Sequence, residues 1–129
     1  MTTTLKRILL VEDDQDIATL ATMALSELGG FDVIHYFSGA DALAAIESDR
    51  PDLVLLDFSM PGMKGDEIIE RLKADERTKH LPVLFMTASV MPSHVTRLME
   101  LGAIDVLKKP FDPLTLSDKV REAWTKGTS

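Results

Sequence analysis

Two groups of acidic residues follow short apolar runs in this chain, at Glu12, Asp13 and Asp14 and again at Asp57. Carboxylates that are brought together away from water repel one another and lose hydration, so a cation usually accompanies them. Magnesium suits such a set, because it prefers oxygen ligands and keeps part of its own hydration shell. An aspartate in this setting can itself act as a nucleophile and form an acyl phosphate.

Two further apolar runs are followed by groups that bind anions, a hydroxyl segment and a basic segment (Thr87, Ala88 and Ser89; Lys108, Lys109 and Pro110). A hydroxyl and backbone N–H groups can hold anionic oxygens, and a lysine ammonium group supplies positive charge. Carboxylates, magnesium, a lysine and a hydroxyl together form a site for a phosphoryl group. In such a site, positioning and charge neutralisation supply most of the catalysis.

The elements that must position these residues are five predicted strands, at residues 8–11, 32–37, 53–56, 83–86 and 105–107, of which 8–11, 53–56 and 83–86 are continuously apolar and 105–107 is a weak prediction. Short continuous runs of this kind are typical of strands buried on both faces of a parallel sheet. Segments with apolar residues at helical spacing separate them, and this alternation predicts right-handed βαβ units with helices on both faces. Ligands in such folds bind beyond the carboxyl ends of the strands, where the acids, the hydroxyls and Lys109 are predicted to meet.

Helix boundaries are indicated by capping residues and by residues that end helices. Asp14, Ser38 and Ser93 are candidate N-caps, because their side-chain oxygens can accept hydrogen bonds from the free N–H groups of a first helical turn. The glycine pair that begins at Gly29 is expected to end the first helix. Pro113 falls where a first helical turn tolerates proline.

The composition limits the classes of protein that need consideration. The 129 residues fit one ordinary domain, and 45% hydrophobic and 27% charged residues are typical of a folded globular chain. The absence of cysteine excludes disulfides and thiolate chemistry. A net charge of −7 argues against direct binding to nucleic acid. No secretory signal or membrane span is visible, so the cytoplasm is the expected location.

The order of these motifs resembles the receiver domain of two-component response regulators over essentially the whole chain. The matching segments are 8–14, 52–57, 60–62 with Gly65, 86–88 and 109–111. The resemblance implies a doubly wound, flavodoxin-like (βα)5 fold of the α/β class. Its five-stranded parallel sheet has the order 2-1-3-4-5, with helices on both faces. A single receiver domain is expected over residues 1–129, with a core at about 5–126 and no output domain.

The resemblance assigns roles in a metal and phosphoryl site to the matching residues. Asp57 matches the phosphoacceptor, and Asp13 matches the acid that binds magnesium directly. Glu12 matches a neighbouring acid that acts through water, and Ser59 matches the position whose backbone carbonyl completes the metal site. The implied cofactor is Mg²⁺, with Mn²⁺ as an alternative ion.

The resemblance also implies residues that contact the phosphoryl group or respond to it. Thr87 matches the hydroxyl that moves to bond a phosphoryl oxygen, and Lys109 matches the lysine that pairs with this group. Pro110 commonly follows that lysine through a cis bond. Ala88 lies in the phosphoryl-binding segment. Ser89, with the serine of the metal site, lies near the path of attacking water and is expected to tune dephosphorylation.

One position departs from the family pattern. Receivers often carry a tyrosine or phenylalanine three residues before the lysine, and this ring rotates inward when the threonine moves. Val106 occupies that position here and has no ring. Two alternatives follow: a weaker switch, or a signal that leaves by another element, such as the loop at residues 90–92.

The resemblance implies a signalling switch rather than an enzyme that acts on external substrates. None of the histidines follows a strand beside a carboxylate (His35, His80 and His94). A histidine kinase or a histidine phosphotransfer protein is therefore the expected phosphodonor. The downstream target is a protein that the sequence does not identify, and the switch is expected to be a monomer or a phosphorylation-dependent dimer.

Three alternatives remain open at this point. The chain could be a fragment of a larger regulator or hybrid kinase. It could be a degenerate receiver that only binds proteins, although the intact acidic set argues against this. It could also be a phosphatase with an aspartate nucleophile, but such enzymes generally place an acidic residue at the position of Ser59.

Overall fold

The computed structural model describes residues 4–128, so residues 1–3 and 129 of the expected domain lie outside the described residues. Five strands alternate with five helices: β1 Arg7–Val11, α1 Gln15–Met23, β2 Asp32–Tyr36, α2 Gly39–Asp49, β3 Leu53–Asp57, α3 Gly65–Ala74, β4 Val83–Thr87, α4 Pro92–Glu100, β5 Asp105–Lys108 and α5 Leu116–Thr128. All strand pairs are parallel and the order is β2-β1-β3-β4-β5. The predicted fold class and strand order are confirmed.

Each central strand divides its side chains between two hydrophobic cores, because successive side chains of a strand point to opposite faces of the sheet. In β1, Leu9 and Val11 join the core that α2, α3 and α4 cover. Ile8 and Leu10 join the core beneath α1 and α5. All four side chains are completely buried, which explains why the run at 8–11 contains no polar residue.

Two of the predicted helix caps are confirmed. The Asp14 carboxylate accepts from the N–H groups of Asp16 and Ile17 at 2.9 and 3.0 Å. The hydroxyl of Ser38 accepts from the Asp41 N–H at 3.2 Å. The caps fix the starts of α1 and α2, and therefore the loops that leave β1 and β2 at the carboxyl edge of the sheet.

Other helix boundaries differ from the sequence predictions. The cap predicted at Ser93 is wrong: α4 begins at Pro92, whose missing N–H costs nothing in a first turn, and Met91 occupies the cap position. Pro113 lies in a turn that precedes α5 rather than in its first helical turn. The first helix changes to a π-helical turn at Ala24–Leu28 before the glycine pair.

The π-helical turn has a structural partner in α5. The buried hydroxyl of Ser117 donates to the Ala24 carbonyl oxygen at 3.0 Å. A π turn changes the hydrogen bonding of the helical carbonyls, and a side chain from a neighbouring helix can use an oxygen there. This bond ties the end of the first helix to the last one.

Among residues 4–128, no helix combines the length and the apolar character needed to cross a membrane.

Candidate functional site

The carboxyl ends of β1, β3, β4 and β5 lie along one edge of the sheet, and backbone hydrogen bonds continue the pairing into the loops. The Phe58 N–H donates to the Met86 carbonyl oxygen at 2.9 Å, just beyond Asp57. The Lys109 N–H donates to the Thr87 carbonyl oxygen at 2.8 Å. The acidic, hydroxyl and basic segments are therefore held side by side by the sheet itself.

Three carboxylates converge at this edge. Glu12, Asp13 and Asp57 each offer a carboxylate oxygen within 4.8 Å of the others. Glu12 is completely buried and Asp57 is 2% exposed, whereas Asp13 faces solvent. The cluster thus has a buried floor and an open side through which a ligand can enter.

Lys109 supplies the positive charge of the cluster. Its Nζ lies 3.0 Å from Glu12 Oε1 and 3.2 Å from Asp57 Oδ2. The lysine side chain is only 18% exposed, so solvent screens these ion pairs less than it would screen pairs on an open surface. Lys108 is exposed and no ion pair joins it to the cluster, as the sequence predicted.

Backbone groups fix the two buried carboxylates. The Ser59 N–H donates to Asp57 Oδ1 at 3.2 Å, and the Asp14 N–H donates to Glu12 Oε2 at 3.1 Å. Among the described residues, no buried side-chain nitrogen or oxygen lacks a hydrogen-bond partner. The carboxylates are therefore held in place before any ligand arrives.

Burial also changes the protonation of the cluster. It raises the pKa of Glu12 from the ordinary 4.5 to about 7, although hydrogen bonds from Lys109 and Asp14 oppose this shift. Burial alone would lower the pKa of Lys109, but the hydrogen bond to Glu12 and the charge of Asp57 outweigh it and raise that pKa. Lys109 is therefore cationic at neutral pH, while Glu12, with a pKa of about 7, is partly protonated there.

The donor set fits a small, hard divalent cation. All three side chains offer oxygen, the ligand atom that magnesium prefers, and one of them is open to water. Three acids face a single lysine, so the cluster carries an excess of negative charge that a divalent ion would neutralise. Glu12, Asp13 and Asp57 are the side chains that could hold the ion. Ser59, also exposed, lies beside them.

The hydroxyl segment has a partner that the sequence did not reveal. Thr87 is buried, and its Oγ1 lies 3.3 Å from His94 Nε2, within hydrogen-bond distance. The Ser89 N–H also donates to this oxygen at 3.3 Å. Ala88 is exposed and Ser89 is partly exposed, so both border the open side of the cluster. Sequence reasoning set His94 aside because it does not follow a strand.

Phe58 connects His94 to the interior. Its ring makes edge-to-face contacts with His94, at 4.8 Å between centroids, and with Phe85, at 5.9 Å. Gly65 allows α3 to approach this loop, because a Cβ at that position would lie 2.8 Å from the Phe85 ring and 3.0 Å from Phe58 Cα. The residue next to Asp57 is thus packed against the first turn of α4.

The two remaining switch positions lie on and after β5. Val106 is half-buried, pairs with Phe85 in the sheet register, and packs against the core on the α4 side. The peptide bond between Lys109 and Pro110 is cis, as expected from the sequence. Val106 lacks a ring that could swing between solvent and the space near Thr87.

We expect the metal-free protein to lose stability relative to a Glu12→Gln variant as the pH rises from about 5 to about 8. The folded protein holds the Glu12 proton more tightly than the unfolded chain does, because its pKa is about 7 instead of 4.5. The resulting stabilisation is complete below the ordinary pKa and is lost as the pH rises through the folded-state pKa. Urea unfolding of both proteins in EDTA across this pH range measures the difference.

Glutamine is a close replacement because it stays neutral and has a similar shape, and its single side-chain oxygen can take the place of one of the two carboxylate oxygens that accept from Lys109 and Asp14. A constant difference in unfolding free energy between the two proteins would contradict the raised pKa of Glu12.

Comparison with known proteins places this geometry in context. The family model for the response regulator receiver domain matches residues 8–121. The DNA-binding response regulator MtrA of Mycobacterium tuberculosis is 40% identical over 121 residues, which are 94% of this chain and 51% of MtrA. The phosphate regulon transcriptional regulatory protein PhoB of Pseudomonas aeruginosa is 35% identical over 116 residues, or 90% of this chain and 50% of PhoB. The chain spans about half the length of these curated relatives.

Solved structures match the whole fold. The chemotaxis response regulator CheY4 of Vibrio cholerae superposes with a TM-score of 0.85 at 28% identity. The match covers 93% of this chain and 99% of CheY4. A response regulator of Chloroflexus aurantiacus gives a TM-score of 0.84 at 32% identity, over 95% of this chain and 99% of that one.

Proposed function

The chain belongs to the response regulator receiver domain family, whose members are phosphoacceptor signalling domains, and we propose that Asp57 is the residue that accepts the phosphoryl group. The observation that carries this proposal is the pairing of a buried Asp57 with Lys109 and two further acids at one strand edge. A nucleophilic carboxylate needs a neighbouring cation to receive an anionic group, and this arrangement supplies one.

In the proposed transfer, a carboxylate oxygen of Asp57 attacks the phosphorus of a phosphohistidine. A P–O bond forms, the P–N bond of the donor breaks, and the imidazole leaves with the bonding electrons. Lys109 Nζ lies 3.2 Å from Asp57 Oδ2, so its charge is already placed beside the carboxylate that would carry the anionic phosphoryl group. The Ser59 N–H holds the other oxygen of Asp57 in place.

The supporting groups have separate parts in this proposal. Thr87 would donate its hydroxyl to a phosphoryl oxygen, and Ala88 would leave room for that group. Ser59 and Ser89, which are small and border the open side, would give water access to the acyl phosphate and so set its lifetime. Pro110, which directly follows Lys109, would belong to the switch region together with Thr87 and Val106.

Glu12, Asp13 and Asp57, with the carbonyl of Ser59, would hold Mg²⁺ or Mn²⁺. Such an ion, when bound, neutralises the charge that an incoming phosphoryl group adds beside the carboxylates. Asp13 faces solvent and offers its carboxylate directly, whereas Glu12 must give up its proton and part of its contact with Lys109.

Response regulators partner with histidine kinases, and we propose a histidine kinase or a histidine phosphotransfer protein as the donor. The switch would act by changed binding to a downstream protein, as a monomer or as a dimer that forms on phosphorylation. The net charge of −7 makes direct contact with nucleic acid unfavourable.

Incubation with acetyl phosphate or phosphoramidate and Mg²⁺ should add one phosphoryl group per chain, as measured by intact-protein mass spectrometry. Omission of the metal with EDTA should slow the reaction strongly, because the excess acidic charge is then not neutralised. Continued hydrolysis of phosphomonoesters at steady state, without an accumulated phosphoprotein, would contradict the proposal and favour a phosphatase.

A further inference from the structure

Thr87 has a different partner in this structure from the one that the proposed function requires. Its Oγ1 contacts His94 Nε2 at 3.3 Å, and the Ser89 N–H reaches the same oxygen. Depending on the imidazole tautomer, Nε2 either donates to the hydroxyl or accepts from it. In both cases the hydroxyl is engaged with α4, and it must leave His94 or share this contact in order to bond a phosphoryl oxygen on Asp57.

His94 is held in a position where it would respond to a movement of the Thr87 hydroxyl. It lies in the first turn of α4, where its N–H donates to the Met91 carbonyl oxygen at 3.0 Å. Its ring packs edge to face on Phe58, the residue that follows Asp57. One side chain of α4 therefore touches both the Thr87 hydroxyl and the side chain of the residue that follows Asp57.

The alternative route through β5 is weak in this chain. Val106 is half-buried and packed against the core, so it has no side chain that could rotate into space vacated by the Thr87 hydroxyl. The first turn of α4, by contrast, is adjacent to two exposed apolar side chains, Val90 at 44% and Met91 at 66% exposure. A shift of this turn would alter an exposed apolar surface to which a partner protein could bind.

We propose that His94 is a positioning residue, which holds the Thr87 hydroxyl toward α4 in the unphosphorylated protein and couples phosphorylation of Asp57 to the first turn of that helix. The inference rests on the proposed function and adds that the first turn of α4 is the element that responds to phosphorylation of Asp57. Contact with His94 stabilises the resting arrangement, so it reduces the apparent affinity for any ligand that requires the hydroxyl to move.

The test uses beryllium fluoride with saturating Mg²⁺ as a stable substitute for the phosphoryl group, and follows binding by the amide resonances of Met91 and Val95. His94→Phe keeps a ring against Phe58 and removes the hydrogen bond. We expect this variant to bind beryllium fluoride about 3- to 10-fold more tightly than the wild type, the range that one hydrogen bond gives. His94→Gln retains a polar group and should stay close to the wild type.

The same substitution in a Thr87→Ala background separates positioning from a general structural effect. With no hydroxyl to hold, His94→Phe should leave the affinity unchanged, so the two positions should be coupled in a double-mutant cycle. An unchanged affinity of the single His94→Phe variant, or an equal gain in both backgrounds, would overturn the inference. Failure of the wild type itself to bind beryllium fluoride with Mg²⁺ would instead overturn the proposed function.

Discussion

Asp57→Asn should abolish phosphorylation by acetyl phosphate, with a loss in rate of about a thousandfold or more, because the amide is a poor nucleophile and cannot form the acyl phosphate. The substitution keeps the shape of the side chain and lets it accept the hydrogen bond from the Ser59 N–H. The fold should therefore persist, and the loss should be chemical. Intact-protein mass spectrometry after timed incubation with the donor and Mg²⁺ measures the effect.

The chain provides a matched control in Asp14→Asn. This substitution also removes one negative charge near the cluster, yet asparagine caps a helix as well as aspartate does, so α1 should remain intact. We expect the control to be phosphorylated at a rate within about twofold of the wild type, as a modest change in surface charge implies. Equal labelling of Asp57→Asn and the control would show that another residue accepts the phosphoryl group.

Lys109→Met should both destabilise the protein and slow phosphorylation. The lysine is the partner of two buried carboxylates, and its loss leaves Glu12 and Asp57 facing each other without a counter-charge. Breaking such a pair costs about 2 to 3 kcal/mol of unfolding free energy, after allowance for the partial exposure of the lysine. The rate of phosphoryl transfer should fall about 100-fold, since a preorganised charge is removed from the site.

The destabilisation by Lys109→Met should be larger at pH 8 than at pH 5 in EDTA. Glu12 already has a raised pKa, and its protonation at low pH relieves the repulsion that loss of the lysine creates. Lys108→Met is the control, because this neighbouring lysine is exposed and makes no ion pair to the cluster. A loss of stability in Lys109→Met that is equal at both pH values would mean that packing, not charge, explains the effect.

The strands and the acidic cluster were predictable because each depends on a strong local signal. The continuous apolar runs of β1, β3 and β4 arise because both faces of these strands are buried. A parallel sheet then brings the carboxyl ends of its strands together whatever the loops do. Glu12, Asp57 and Lys109 were therefore expected to meet, and they do.

The features that the sequence did not predict depend on contacts between distant elements. The apolar residues before Gly29 have the spacing of an α-helix, so the sequence did not indicate the π-helical turn at Ala24–Leu28, where Ser117 of α5 donates to the Ala24 carbonyl oxygen. The start of α4 was placed at Ser93 by its capping preference, although proline at the preceding position is a better first residue. His94 was missed because it approaches the site from a helix, seven residues after Thr87.

The ion pair between Glu12 and Lys109 joins residues that are 97 positions apart in the chain. During synthesis, the acidic half of the site leaves the ribosome long before the lysine does, so an incomplete chain has the acids without their counter-charge. Contacts of such long range form late, because a large loop must close before they stabilise anything. A newly made chain would therefore complete the charge balance of this cluster only after β5 has joined the sheet.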